Sequence, residues 1–326
     1  MFPQRLDLLR QRLWSRPGVA VGIDAGRSAL RVVALRRHAA GIELAGLAWS
    51  ANETGADVPE SRVLADTVRR ACRSLAWRPR RVVMGVSGAT VLAQPVVVPA
   101  SADAEETAEA VERVARTLPL PLADVRLAWA PLPSVGPAQL DLGGVAPAHA
   151  RTLLLVAARR EAVRALQEQA ASSGLGRVVV DVDTFAALRA LRRDASPQPG
   201  AAGGRLLIDA GRDSLRLLAW PDGGVPLLRV VPLPAAGAVT ELAGTVAETV
   251  ASMAGDLGRA PAAVVLAGGR MLADDAAAAV AAGLAVPCQR AEPFAALSAD
   301  PPLGLVPRGA GPAWLVAMGL ALRGLA

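Results

Sequence analysis

The apolar positions of this chain recur with two periods, and their order outlines its elements. Val19-Ala20-Val21 leads through Ile23-Asp24-Ala25-Gly26-Arg27 into Val32-Val33. Leu206-Leu207 leads through Ile208-Asp209-Ala210-Gly211-Arg212 into Leu217-Leu218. Each reads as a strand, an Asp-x-Gly turn and a second strand, that is, a β-hairpin. After the first hairpin, Ile42 to Trp49 predicts a third strand. A helix capped by Ser61 follows, with Leu64, Val68, Ala71 and Leu75 on one face, and then a strand over Arg81 to Val86. Val91 to Val98 predicts a strand ended by Pro99. Asp103-x-x-Glu106 is a capping box for a helix with Val111, Val114, Ala115 and Leu118 on one face. Strands over Val125 to Ala130 and Thr152 to Ala157 flank a Pro/Gly loop, so the stretch from Val91 to Val156 reads as a small α+β insert.

The core pattern then resumes. A helix is predicted over Arg159 to Ser172, a strand over Arg177 to Asp181, and a further helix opening at Asp183. Ser196 to Gly204 is a Pro/Gly/Ala linker ahead of the second hairpin. Between Trp220 and Pro261 one helix is expected, with Val239, Leu242, Val246, Val250 and Met253 on one face. Val264 to Ala267 is a buried strand leading into Gly268-Gly269 and another helix. Ala313 to Leu322 is apolar but short and ends in Arg323, so a buried helix is expected, not a membrane span. Met1 to Ser15 reads as a basic amphipathic helix with Leu6, Leu9, Leu13 and Trp14 on one side, which suits a membrane surface, a partner or simple docking.

The duplication carries chemistry. Leu30-Arg31-x-x-Ala34 is repeated as Leu215-Arg216-x-x-Ala219, so the match extends beyond the pentapeptide. Gly26 and Gly211 permit positive φ and put no Cβ between backbone and ligand. Consecutive N–H groups in such a turn form an anion-binding concavity. Asp24 and Asp209, at strand ends, can hold Mg²⁺ directly or through water. Two facing hairpins would clasp the phosphates of one nucleotide, and the Gly268-Gly269 turn before a helix suits a phosphate or ribose. The plainer alternative is two ordinary hairpins in a duplicated fold.

Composition narrows the field. The 326 residues are 52% hydrophobic with mean hydropathy +0.36, which excludes a disordered chain and allows two domains. Met1 to Pro17 shows no secretory leader. Cys72 and Cys288 sit in apolar surroundings and suggest a reducing compartment, hence a cytoplasmic protein. All 35 basic residues are arginine, so mechanisms that need a Walker or Schiff-base lysine are excluded. His38 and His149, each expected in a loop, make a Ser-His-Asp triad or a zinc site improbable. The net charge is +6, and Arg69, Arg70, Arg73, Arg78, Arg80 and Arg81 cluster around Trp77. No nucleic-acid motif accompanies them, and the cluster reads as a solvated helix end beside a strand.

The order of hairpin, acidic helix start, hairpin, Gly-Gly turn and small-residue terminal helix resembles the phosphate-1, connect-1, phosphate-2, adenosine and connect-2 segments of actin-like ATPases. Val21-Gly22-Ile23-Asp24-x-Gly26, Val180-Asp181-Val182-Asp183-Thr184-Phe185-Ala186-x-Leu188, Leu266-Ala267-Gly268-Gly269 and Gly319-Leu320-Ala321-Leu322-Arg323-Gly324 resemble most closely the PilM family of type IV pilus assembly. The insert stands where that family, like the division protein FtsA, carries an extra subdomain. The resemblance implies an α/β, two-lobed actin-like (ribonuclease H-like) fold. Its first lobe would comprise 19–90, 157–195 and 312–326, with the insert at 91–156, a linker at 196–204 and a shortened second lobe at 205–311; residues 1–18 would precede it.

It further implies ATP and Mg²⁺ as ligands, with Asp24, Gly26, Arg27, Ser28, Arg31, Asp209, Gly211, Arg212, Gly268 and Gly269 at the nucleotide and Asp24 and Asp209 on the metal side. The implied partners are the cytoplasmic N-terminus of PilN, an inner-membrane protein, and other pilus platform proteins, at the cytoplasmic face of the inner membrane. The chain departs from the family pattern where Arg27 replaces a hydroxyl residue, Ala29 lacks one and Arg31 replaces lysine. The segment after Trp220 is also short and lacks the family's Ala-Glu-x-x-Lys. Weak or lost ATP binding, and at most a slow ATPase, is therefore expected. Two alternatives are a sugar or acid kinase with Asp183 as catalytic carboxylate, and the cytoplasmic part of a type II secretion protein, although such chains continue into a membrane span and this one stops at Ala326.

Overall fold

The computed structural model describes residues 18–52, 60–73, 81–132, 150–193, 204–220, 226–234, 237–257, 260–295, 297–298, 306 and 309–326. The helix read at Met1 to Ser15, residues 196–203 of the linker, Leu75, Trp77, Arg78, Arg80 and His149 lie outside them.

The duplicated hairpins seed two sheets of the same design. In the first, β1 (Val19–Ala25), β2 (Ala29–His38) and β3 (Gly41–Ala51) run antiparallel, and β4 (Arg81–Val86) and β8 (Val179–Val182) extend the sheet in parallel, in the order β3-β2-β1-β4-β8. In the second, β9 (Arg205–Ala210), β10 (Ser214–Trp220) and β11 (Leu227–Pro232) are antiparallel, and β12 (Ala263–Ala267) and β13 (Cys288–Arg290) are parallel to β9, in the order β11-β10-β9-β12-β13. This is the two-lobed actin-like arrangement.

The stretch after β4 forms its own unit. β5 (Val91–Pro99), β6 (Val125–Pro131) and β7 (Ala150–Arg159) make an antiparallel sheet ordered β5-β7-β6. Pro95 and Pro99 sit in β5, an edge strand, where a missing N–H costs no ladder bond. Pro99 pairs with Ala150 and is the last residue of the strand, which ends there as expected. A helix, α2 (Ala104–Ala115), covers this sheet. Asp103 Oδ1 accepts from Glu105 N and Glu106 N, and Glu106 returns a bond to Asp103 N, the expected capping box. Val96, Val111, Ala115 and Leu153 meet in a separate apolar cluster.

Among the described residues the remaining α-helices are α1 (Glu60–Ala71), α3 (Arg160–Ser172), α4 (Asp183–Arg193), α5 (Val239–Leu257), α6 (Asp274–Gly283) and α7 (Gly311–Leu325). Three expectations change. Ser61 lies inside α1, which starts at Glu60, because an acidic residue is favoured in the first turn. His38 ends β2, paired with Gly41, because the β2–β3 hairpin runs to its tight turn. The segment after Trp220 holds the strand β11 as well as the helix α5; β11 is a half-buried edge strand, so its apolar alternation is weak.

Helix α7 is buried on all sides except at Arg323 and is the centre of the molecule. One cluster joins its Trp314, Leu315 and Met318 to Ala20, Val33 and Leu35 of the first sheet and to Leu207, Leu218 and Val265 of the second. A helix buried all round must be apolar all round, which explains its membrane-like composition. No helix among the described residues is long and apolar enough to cross a membrane. Close approach needs glycine on both sides. A Cβ on Gly319 would fall on the carbonyl oxygen of Ala186 in α4, and one on Gly22 would fall on the α7 backbone at Ala317 and Ala321. Gly319→Val is therefore expected to destabilise the protein by about 2 kcal/mol or more through overpacking, read as a lowered midpoint in urea unfolding. An unchanged midpoint would mean α7 is not packed in this way.

Candidate functional site

Strand register brings the two halves of the repeat to one place. Asp24 is the cross-strand partner of Arg31, and Asp209 of Arg216. The two turns face each other across a cleft of about 560 Å³. Asp24, Gly26, Arg27, Ser28, Arg31, Asp209, Gly211, Arg212, Gly268 and Gly269 all line it, as does Asp183. The Gly268-Gly269 turn approaches because Gly268 takes φ 94°, where a Cβ would meet Ala210 and Asp209. The Gly268 N–H donates to the Pro312 carbonyl at 2.9 Å, tying this turn to the start of α7.

The hairpin turns are built differently from the expectation. Neither Gly26 nor Gly211 has positive φ. Room is tight instead: a Cβ would lie 3.1 Å from the Ala29 carbonyl oxygen at Gly26 and 3.2 Å from that of Ser214 at Gly211, so the neighbouring backbone would have to give slightly. The Gly211 N–H is committed to Ser214 O at 2.9 Å, so it cannot also serve a phosphate. Asn52 braces the first turn, its amide donating to Gly26 O at 2.6 Å. Arg270 braces the second by donating to the carbonyls of Arg212 and Pro234.

Charged contacts cross the cleft. Arg216 Nη2 lies 2.7 Å from Asp209 Oδ2 on its own sheet, while Nη1 pairs with Asp183 Oδ2 at the start of α4, after β8 of the other sheet. Asp183 Oδ1 accepts from Gly88 N at 2.9 Å and from Thr184 N at 2.6 Å and Oγ1 at 3.0 Å. Both of its oxygens are therefore occupied. Arg27 pairs with Asp213 at 3.3 Å between the two turns. Arg31 leans the same way, its Nη2 lying 3.7 Å from where a Gly269 Cβ would stand. Among the described residues no group of three or more His, Cys, Asp or Glu side chains is arranged to hold a metal ion. Sequence reasoning quoted Arg216 only as part of the repeat and assigned it no role; its equivalence to Arg31 was the available signal.

Burial pushes the Asp24 carboxyl up from 3.8 to about 6; Arg31 and Arg216 oppose the rise, and Asp209 and Asp183 add to it. Burial raises Asp209 as well, against the pull of Arg216. Burial works against the Arg216 charge, but Asp209, Asp183 and Asp24 outweigh it and hold the guanidinium protonated. Since the folded pKa of Asp24 exceeds its unfolded value, ionising it costs stability. That cost is absent below a pH of about 4, grows up to about 6 and is complete above. Asp24→Asn, measured in EDTA, is expected to stabilise the fold by up to about 3 kcal/mol at neutral pH and to change nothing near a pH of about 4. Urea unfolding at both pH values checks this, and equal effects at both would refute it.

Comparison with known proteins bears on the whole chain. The family model for type IV pilus assembly protein PilM matches residues 22–221. A solved PilM–PilN type IV pilus biogenesis complex is similar with a TM-score of 0.73 and 24% identity, over 94% of this chain and 98% of that chain. Weaker likeness extends to the ethanolamine utilization protein EutJ from Carboxydothermus hydrogenoformans, with a TM-score of 0.49 and 13% identity over 98% of this chain and 97% of that chain. It extends also to the cytoplasmic domain of EpsL, an inner-membrane component of the type II secretion system of Vibrio cholerae, with a TM-score of 0.45 and 12% identity over 77% and 83%. No curated protein matches. The family model spans well over half of the chain, and this protein belongs to the type IV pilus assembly protein PilM family.

Proposed function

We propose that the chain is a cytoplasmic scaffold of type IV pilus assembly that holds the N-terminal peptide of a PilN-like inner-membrane protein in a groove between the first sheet and the β5–β7 unit. The similar solved protein is a complex with PilN, which supplies the partner class. The observation that carries the reading is a juxtaposition of edges. β8 ends the first sheet and β6 ends the small one, and residues of both line a single groove of about 550 Å³. Leu127, Trp129, Val156, Val163, Val182 and Phe185 make its apolar surface. Trp129 is 46% exposed, a large apolar side chain left at the surface. An extended peptide can add a strand to either edge while its apolar side chains fill the groove. Arg126, Arg189 and Arg323 surround it, with Arg189 paired to Asp181 at 2.8 Å. The exposed Arg126 and Arg323 suit work beside an anionic leaflet, where each adds on the order of 1 kcal/mol of attraction.

In this reading the nucleotide cleft is secondary, and Asp24, Gly26, Arg27, Ser28, Arg31, Asp209, Gly211, Arg212, Gly268 and Gly269 are what remains of an ATP site in the family. A sugar or acid kinase needs a free carboxylate to take the acceptor proton. Asp183 offers none, because both its oxygens are hydrogen-bonded or ion-paired.

Calorimetric titration with a PilN-like N-terminal peptide tests the proposal. Trp129→Ala is expected to weaken binding at least about tenfold, or 1.4 kcal/mol, with circular dichroism unchanged. Asp24→Asn and Asp209→Asn should leave the affinity unaltered. Full affinity in Trp129→Ala would move the site elsewhere, and no binding by the intact protein would remove the functional claim.

A further inference from the structure

We propose that the Arg216 guanidinium takes the place of a divalent cation in the cleft, so that its carboxylates are neutralised from within and a nucleotide-class polyphosphate entering it is held without magnesium. The proposal is independent of the peptide groove.

The residues that would hold Mg²⁺ do not fit it. Magnesium demands oxygen ligands at about 2.0–2.1 Å in near-octahedral order and dehydrates reluctantly. Of the carboxylates that line the cleft between the turns, Asp209 and Asp183 are already committed, and Asp24 is a lone carboxylate. Asp209 Oδ2 and Asp183 Oδ2 both accept from one guanidinium, and Asp183 Oδ1 accepts from the Gly88 and Thr184 N–H groups and the Thr184 hydroxyl. A planar fork of fixed charge is well shaped for this task, because its two terminal nitrogens can serve two carboxylates at once. These carboxylates come from different lobes, Asp209 from β9 of the second sheet and Asp183 from the start of α4, just after β8 of the first. The side chains of Arg216, Asp183 and Asp209 are 16%, 6% and 6% exposed, so the pair is largely out of water.

The rest of the cleft repeats the solution. Arg31 occupies the position in the first hairpin that Arg216 occupies in the second and leans toward Gly269, and Arg27 reaches Asp213. Two ion pairs, Arg216 with Asp183 and Arg27 with Asp213, therefore cross the cleft. Arg31 and Arg212 also line the cleft, leaving donors for the oxygens of a polyphosphate.

Mn²⁺ uptake, followed by electron paramagnetic resonance, tests the proposal on the full chain. The wild type is expected to take up no Mn²⁺ in the cleft. Arg216→Met should bind Mn²⁺ at least tenfold more tightly, and Asp209→Asn in that background should abolish the gain. Mn²⁺ should also raise the Tm of Arg216→Met but not that of the wild type. Uptake by the wild type that Asp209→Asn removes would overturn the proposal, and this arm stands even where Arg216→Met does not fold. A folded Arg216→Met that binds no Mn²⁺ would overturn it equally. In a parallel ATP titration of the wild type, an affinity equal within twofold in Mg²⁺ and in EDTA supports the proposal, and no binding in either refutes its claim that a polyphosphate is held. A tenfold loss of affinity in EDTA refutes it.

Discussion

The packing of α7 between the two sheets is the constraint on which the other features depend. Each sheet has an apolar face toward this helix, and one continuous cluster runs from Val33 and Leu35 through Trp314 and Met318 to Leu207 and Leu218. A helix shared in this way fixes the separation and angle of the sheets, because a close-packed interior resists gaps and overlaps alike. Gly22 and Gly319 let the backbones meet without an intervening Cβ. The start of α7 is tied to the Gly268 turn through Pro312, so the packing reaches the cleft itself.

With the sheets so placed, the two Asp-Ala-Gly-Arg turns must face each other, and their charges must be balanced in a half-closed space. Three aspartates, Asp24, Asp183 and Asp209, come together there with Arg31 and Arg216. Carboxylates in a low-dielectric cleft are costly unless paired. Arg216 offsets two of them at once, and Asp24, with no ion-pair partner within 4 Å among the described residues, is left with a raised pKa of about 6. The same arginine joins residues from both sheets, so neutralising the cleft and holding it closed are one interaction.

The groove proposed for a partner peptide draws on a set of residues different from that of the cleft. Its lining includes Leu127, Trp129 and Phe185 beside the strand edges β6 and β8, whereas the cleft gathers Asp24, Asp183 and Asp209 with Arg31 and Arg216. A protein of this family can therefore keep a partner-binding surface while the chemistry of its cleft drifts. Trp129 and Asp183 mark the two places separately, one exposed on β6 and the other buried at the start of α4.

Much of the fold was legible in the amino-acid sequence because it rests on local patterns. The repeated hairpins, the Asp103 capping box, the strand over Arg81 to Val86 and the burial of the C-terminal helix follow from periodicity, capping chemistry and length. The repeat also pointed to the residues that would line a common cleft. What it left open depended on partners far away in the chain. The half-buried edge strand β11 is specified by pairing with β10, not by its own alternation. The glycines of the turns have no positive φ and sit in tight space beside the returning strand, which only the paired strands reveal. Arg216 reads in sequence as one half of a repeat. Its pairing with Asp183 exists only because α7 brings two sheets together, and electrostatic energy depends on distance in space and not along the chain. The sequence by itself determined the elements and the duplicated turns; the tertiary structure decided which charges meet in the cleft and which edges stay open for a partner.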